Sequence, residues 1–243
     1  MKTIQTIVLL LSFLSLNAQF RFDISGASAT YITGINDTVS IVGYCMIDGE
    51  TCGFYYNSNT NDTIILKPSD INGAVSVWFG GINNHELVGG HYSDATNTKA
   101  FMFNPLNRNV SYPYSYVASA GQFFKVNDIN DNNVVSGDFQ NGAQRRVWAE
   151  GPSLAFSSFR YYEDSDFYNS LGGHGLTNDN RLTGWYIDGN ITKSFILDIA
   201  SGDFSKVNGV ASTKVRACGI NDANAMAVEQ TQNFIRSYRY FSP

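Results

Sequence analysis

The chain has 243 residues, a formal net charge of −5, 15% charged and 14% aromatic residues, 22 glycines and 3 cysteines. An acidic chain with no run of Lys or Arg is excluded from the usual binders of nucleic acid and of anionic membranes. Three cysteines are too few for a disulfide-built scaffold, so the core has to come from hydrophobic packing.

The N-terminus reads as a secretory leader. Lys2 supplies the positive end, Ile7–Leu16 is a short apolar run, and Asn17-Ala18-Gln19 offers a small-residue cleavage site, giving a signal peptide over residues 1–18. The run is about half of the ~20 apolar residues a spanning helix needs. No later stretch is apolar enough to cross a bilayer, so residues 19–243 read as one secreted domain, extracellular or periplasmic.

Beyond the leader the chain repeats itself. Ile24 to Gly34, ISGASATYITG, matches Ile71 to Gly81, INGAVSVWFGG, at a constant offset of 47. GINDTVSIVGY starts at Gly34 and returns as GINNHELVGGH at Gly81, DINDNNVVSGD at Asp128, GLTNDNRLTGW at Gly175 and GINDANAMAVE at Gly219. The first three intervals are 47 residues and the last is 44, while Gly43, Gly90, Gly137 and Gly184 keep the same 47-residue step. A fixed period of this size is the signature of a repeat architecture.

Each unit reads as four short strands. In the first, these are Val39–Tyr44, Gly53–Tyr56, Thr63–Leu66 and Val75–Phe79, separated by Asp48-Gly49, a polar loop over 57–62 and Pro68. Nowhere in the mature chain does an apolar 3.6-residue period persist, so no helix is expected. Four strands in about 45 residues is the arithmetic of a propeller blade. The predicted fold is therefore all-β, a five-bladed β-propeller. Its last blade is completed by two C-terminal strands, Ala225–Glu229 and Ile235–Tyr240, and two N-terminal ones, Phe20–Ile24 and Ala29–Ile32. An aromatic column, Phe54, Phe101, Trp148, Phe195 and Tyr238, with Tyr56, Phe103, Glu150, Leu197 and Tyr240 two residues on, is expected to pack between blades. Glu150 breaks that column and needs a partner or solvent.

The GIN turns and the Gly43-type glycines make the whole mature chain resemble the exported HAF-type repeats of bacterial proteins. Those repeats carry a Gly-Ile-Asn turn, a Val-Val-Gly strand and then a His-Ala-Phe strand. The resemblance departs at the last motif, where Lys99-Ala100-Phe101 comes nearest and the His is missing from every unit. It implies export and repetition and says little about chemistry.

Few constellations could carry chemistry. Asp128-Ile-Asn130-Asp-Asn132 begins like a calcium loop but lacks the Gly at the sixth position and the distal Glu; Asx side chains folding back on their own turns explain the same residues. Glu163–Asp166 reads as a solvated acidic loop. His85, His91 and His174 form no metal-binding spacing, and no hydrolase, nucleotide or dinucleotide motif is present, so no metal or cofactor is expected. Cys45 and Cys52 flank the first hairpin and are expected to form a disulfide, leaving Cys218 as a buried odd thiol.

The most informative column follows the repeated Gly and holds Tyr44, His91, Asp138, Trp185 and Glu229. A structural column keeps one residue type; this one varies among groups that hydrogen-bond, stack or carry charge. If the strand after each GIN turn lines the central channel, the five converge on a small polar ligand. The leading expectation is a non-catalytic binding module for a glycan or similar ligand. A structural or adhesive surface protein that binds another protein is the alternative. A glycoside hydrolase, with Asp138 and Glu229 as its carboxylate pair, comes last.

Overall fold

The computed structural model describes residues 22–114, 117–119, 124–141, 144–152, 154, 160–162, 169–188, 191–207, 214–232 and 235–241. The leader and the Glu163–Asp166 loop lie outside these residues. β-Branched and aromatic runs punctuated by Asx and Gly turns give twenty strands and no α-helix among the described residues, only a 3-10 turn at Pro68–Asp70.

Strand order follows sequence order. The first sheet is β1 (Ala29–Ile35), β2 (Ser40–Ile47), β3 (Glu50–Asn57) and β4 (Asp62–Leu66). The second is β5 (Ala74–Ile82), β6 (Val88–Asp94), β7 (Asn97–Asn104) and β8 (Asn109–Ser111), with β9 (Val117–Ser119) also on β7. The third is β10 (Phe124–Ile129), β11 (Val135–Asn141), β12 (Gln144–Glu150) and β13 (Arg160–Tyr162). The fourth unit is β14 (Asn169–Leu176), β15 (Arg181–Asp188), β16 (Ile191–Asp198) and β17 (Phe204–Val207). The fifth is β18 (Lys214–Ile220), β19 (Met226–Gln232) and β20 (Ile235–Phe241), tied to the fourth unit's sheet by one parallel bridge, Thr192 to Lys214.

The period is as predicted but its phase is not. The GIN turn lies inside each sheet, joining its first two strands, so Ala29–Ile32 pairs with β2 and belongs to the first unit instead of completing the last. The last unit correspondingly has three C-terminal strands. Residues 22–24 form no strand; by the 47-residue offset they match the 3-10 turn, and Phe22 packs on Phe54 and Tyr56 of the first unit. The physical reason is the turn itself. Asn36 N donates to Ser40 O at 3.2 Å and Val39 N to Asn36 O at 3.0 Å, which folds the chain back onto its neighbour. The Pro68 segment instead carries it across to the next sheet.

All five turns share this geometry. Their last residue is left-handed, with φ of +61° at Val39 and Glu86, +59° at Asn133, +63° at Asn180 and +60° at Asn224. Asn tolerates that region, whereas β-branched Val39 is strained there. The Asn carbonyl oxygen takes the backbone N–H four residues on: Ser40 at 2.8 Å, Leu87 at 2.9 Å, Val134 at 3.0 Å and Ala225 at 2.9 Å. Its amide reaches the next unit. Asn36 Nδ2 donates to Asn83 O at 3.1 Å and Glu86 Oε1 at 3.0 Å, Asn83 Nδ2 to Asn130 O at 3.0 Å and Asn133 Oδ1 at 3.1 Å, and Asn130 Nδ2 to Thr177 O and Asn180 Oδ1, both at 2.9 Å. A parallel ladder runs one residue on, from Asp37 N to Asn84, Asn84 N to Asp131, Asp131 N to Asn178 and Asn178 N to Asp222. The oxygens that suggested calcium thus accept N–H groups.

The core lies between units. Val42 and Tyr55 of the first pack with Val77, Phe79, Phe101 and Phe103 of the second; Ala100 packs with Phe124, Val126 and Trp148; Val134 and Val147 pack with Leu182, Tyr186 and Phe195. Phe54, Phe101, Trp148 and Phe195 stand directly across from Gly43, Gly90, Gly137 and Gly184. A Cβ at Gly43 would lie 2.8 Å from the Phe54 ring, and one at Gly90 2.7 Å from the Phe101 ring. The glycine is the slot for the aromatic. In the fifth unit Val228 takes the glycine position and the register pairs it with Arg239, while Tyr238, the expected member of the column, pairs with Glu229. Glu150 stays buried, and its charge adds to the burial that raises the Tyr114 phenol.

Candidate functional site

The first strand of every unit carries a β-bulge just before the turn. Register breaks fall between Ile32 and Gly34, Phe79 and Gly81, Val126 and Asp128, Gly173 and Gly175, and Ala217 and Gly219. The extra residues are Thr33, Gly80, Asn127, His174 and Cys218. A bulge re-aims a side chain, and all five line two adjoining cavities of about 540 and 360 Å³ that share Lys125, His174 and Cys218.

The column after the repeated Gly meets the same cavities. Tyr44 and His91 line the larger; Asp138, Trp185 and Glu229 line the smaller. These residues sit on the second strand of each unit. Of their cross-strand partners on the first strand, Trp78, Lys125 and Arg216 line the cavities as well. Tyr31 stacks on Tyr44 at 4.8 Å between centroids, and Trp78 on His91 at 5.0 Å. Lys125 stands opposite Asp138 and Arg216 opposite Glu229. Arg216 also lies over the Trp185 ring at 4.8 Å.

Hydrogen bonding fixes the polar groups. His91 Nδ1 accepts from Val126 N at 3.2 Å, and burial followed by the Lys125 charge holds its pKa at about 3, so the ring is neutral with its proton on Nε2. Trp185 Nε1 donates to His174 Nε2 at 3.0 Å. Desolvation by the cavity walls, then the charges of Lys125 and Arg216, hold His174 at about 4, leaving Nδ1 as its donor. Asn127 Nδ2 donates to Asp138 Oδ1. The site therefore presents aromatic faces, neutral imidazoles and cations set against carboxylates.

Of the three cysteines, Cys218 departs from expectation. Cys45 and Cys52 are directly opposed and buried, but their thiols are separate. Burial, then the neighbouring Cys52, pushes Cys45 up to about 11, and burial raises Cys52 as well. Cys218, expected to be buried, is exposed and faces both cavities because it is the bulged residue.

The bulge column and Trp78, Lys125 and Arg216 were missed in the sequence, although positions 33, 80, 127, 174 and 218 hold the same repeat spacing and vary in chemistry as freely as the chosen column. Among the described residues no group of His, Cys, Asp or Glu is placed to hold a metal ion, and no helix is long and apolar enough to cross a membrane.

No protein-family model and no curated protein matches the sequence. Solved structures do match the fold. TolB from Acinetobacter baumannii is similar at 10% identity with a TM-score of 0.57, over 88% of this chain and 54% of that one. Dipeptidyl peptidase 4 from Porphyromonas gingivalis is similar at 9% identity with a TM-score of 0.53, over 89% of this chain and 32% of that one. The chain thus spans about half the length of the first and a third of the second. Strand order, inter-sheet core and these likenesses define a β-propeller-like, all-β protein.

Proposed function

We propose that the chain is an exported, non-catalytic binding module whose five units form a ring around a site for a small neutral glycan. The observation that carries this is the convergence of chemically varied residues from all five units on two adjoining cavities, while the aromatics opposite the repeated Gly pack the core. A volume of about 540 Å³ is within the range of ligand pockets and suits one or two sugar rings. Tyr44, Trp78 and Trp185 supply faces for sugar C–H surfaces; Asn127, Asp138, Arg216 and Glu229 supply hydroxyl partners. Lys125 opposite Asp138 and Arg216 opposite Glu229 balance the charge, which favours a neutral ligand over an anionic one. Export rests on the leader reading of residues 1–18.

A glycan array followed by calorimetry on the best binder tests this. Trp185→Ala and Asp138→Asn should each weaken binding at least tenfold with melting temperature unchanged within a few degrees. Absence of any glycan binder, or variants that bind as wild type does, would refute it.

A further inference from the structure

Unit 5 is the least tied of the five, and it forms one side of the site. Arg216, Cys218 and Glu229 line the cavities from β18 and β19. Three independent markers place its weak points.

The first is the glycine contacts at the head of each turn. A Cβ on Gly34 would meet Gly81 Cα at 3.1 Å, one on Gly81 would meet Asp128 Cα at 2.9 Å, and one on Gly175 would meet Gly219 Cα at 2.8 Å. A Cβ on Gly219 would meet nothing within 4 Å. The chain of close approaches stops where unit 5 should meet unit 1.

The second is exposure on the two faces at that seam. Ile32 and Ile35 of β1 are 53% and 60% exposed, whereas their counterparts Phe79 and Ile82 are 1% and 6% exposed. On the other side Ala227 is exposed, while its counterparts Val42, Ser136 and Thr183 are fully buried. The counterparts are covered by the neighbouring unit, so the occupant that fits the β1 face is unit 5 itself.

The third is the Asn ladder. Thr177 stands where Asn36, Asn83 and Asn130 donate to the next unit, and Asn224 Oδ1, the acceptor in unit 5, is buried without a hydrogen bond. At the seam Val39 occupies the position where Glu86, Asn133 and Asn180 supply the accepting oxygen. The donor position at one border of unit 5 is thus a Thr with no amide, and the acceptor position at the other is a Val with no side-chain oxygen, whereas the other three interfaces have Asn donors facing Glu or Asn acceptors. Unit 5 is held to unit 4 by the bridge from Thr192 to Lys214, the Asp222 carboxylate on Asn178, the Ser194 hydroxyl on Val215 O, the Thr183 hydroxyl on the Met226 sulfur, the Gly175–Gly219 approach, and a small cluster of Val215, Ala217, Met226 and Val228 with Ile196, which is why the hinge lies on that side.

We infer that unit 5 is the moving wall of the binding site, hinged on unit 4 and opening and closing against the β1 face of unit 1. The inference rests on the ring and binding site proposed above and adds the route by which a ligand enters a site enclosed by all five units. Closure buries Ile32 and Ile35, brings Gly219 onto Gly34, and carries Arg216, Cys218 and Glu229 into place around the ligand.

The reporter is Cys218, the exposed thiol on the moving wall, read by the rate of labelling with N-ethylmaleimide and by hydrogen exchange across residues 214–232. Val39→Asn supplies the missing seam acceptor. Val39→Gly relieves the same backbone strain without an acceptor and is its control. Val39→Asn should slow Cys218 labelling about tenfold relative to Val39→Gly, the factor expected when one buried hydrogen bond favours the closed form, and should protect β18 and β19. Gly219→Ala folds normally because its Cβ meets nothing in the open form, but blocks the Gly219–Gly34 approach. It should leave melting temperature unchanged and label at least as fast as wild type. Equal labelling and exchange in Val39→Asn and Val39→Gly would overturn the inference. So would a slowing that appears only as protein concentration rises, which would mean that a second copy covers the face. No ligand enters these measurements, so they stand if every glycan fails to bind. With cellobiose or N,N′-diacetylchitobiose as probe, binding that Gly219→Ala abolishes supports the moving wall, and binding that Gly219→Ala leaves intact overturns it.

Discussion

Thr177→Asn should stabilise the protein. Thr177 is buried and takes the place of the ladder Asn; its Oγ1 already accepts Arg181 N at 2.9 Å, the bond that Asn Oδ1 makes in the other turns. Asn can therefore keep that bond and add an amide aimed at Asn221 O and Asn224 Oδ1, as Asn130 Nδ2 reaches Thr177 O and Asn180 Oδ1 at 2.9 Å. Two bonds at about 1 kcal/mol each, one of them relieving an orphaned acceptor, are offset by losing the Thr177 hydroxyl's bond to Asp179. The net gain is about 1–2 kcal/mol, or roughly 2–8 °C in melting temperature for a domain of this size. Differential scanning calorimetry measures it, with Thr177→Val as a control that loses the Arg181 bond and should melt lower. A melting temperature for Thr177→Asn equal to or below wild type would show that the ladder does not hold neighbouring units together.

Three further outcomes are expected. Gly137→Ala should destabilise by at least about 3 kcal/mol or prevent folding, because its Cβ would stand 1.8 Å from Lys125 O and 2.9 Å from Trp148 Nε1; chemical denaturation reads this. Burial raises the Asp128 carboxyl to about 7, against the two N–H bonds from Leu176 and Ile129, and so above its unfolded value of about 3.9. The stability it contributes is complete below about pH 4 and is lost as pH rises to about 7, so melting temperature should fall between about pH 4 and 7 and Asp128→Asn should flatten that slope. Under an oxidising glutathione buffer Cys45 and Cys52 should join in preference to any pair with Cys218, adding about 2–3 kcal/mol for so short a loop. Non-reducing peptide mapping decides this, and a crosslink to Cys218 would contradict it.

Much of the fold was legible because repetition makes local chemistry redundant. GIN turns at 47-residue steps, a glycine opposite each aromatic and period-2 strands all follow from local sterics and hydrogen bonding, and each is stated four or five times. The column Tyr44, His91, Asp138, Trp185 and Glu229 was legible for the converse reason, since variation stands out against a repeat. Phase was not legible. A 47-residue period has no origin, and only the turn's hydrogen bonds, Asn36 N to Ser40 O and its counterparts, decide that β1 pairs with β2 within one sheet. The bulged residues Thr33, Asn127, His174 and Cys218 were hidden because a bulge is a property of the pairing between two strands, and alternation along either one places them on the wrong face. The open contact at Gly219 likewise belongs to no local stretch, because the packing of unit 5 against unit 1 decides it.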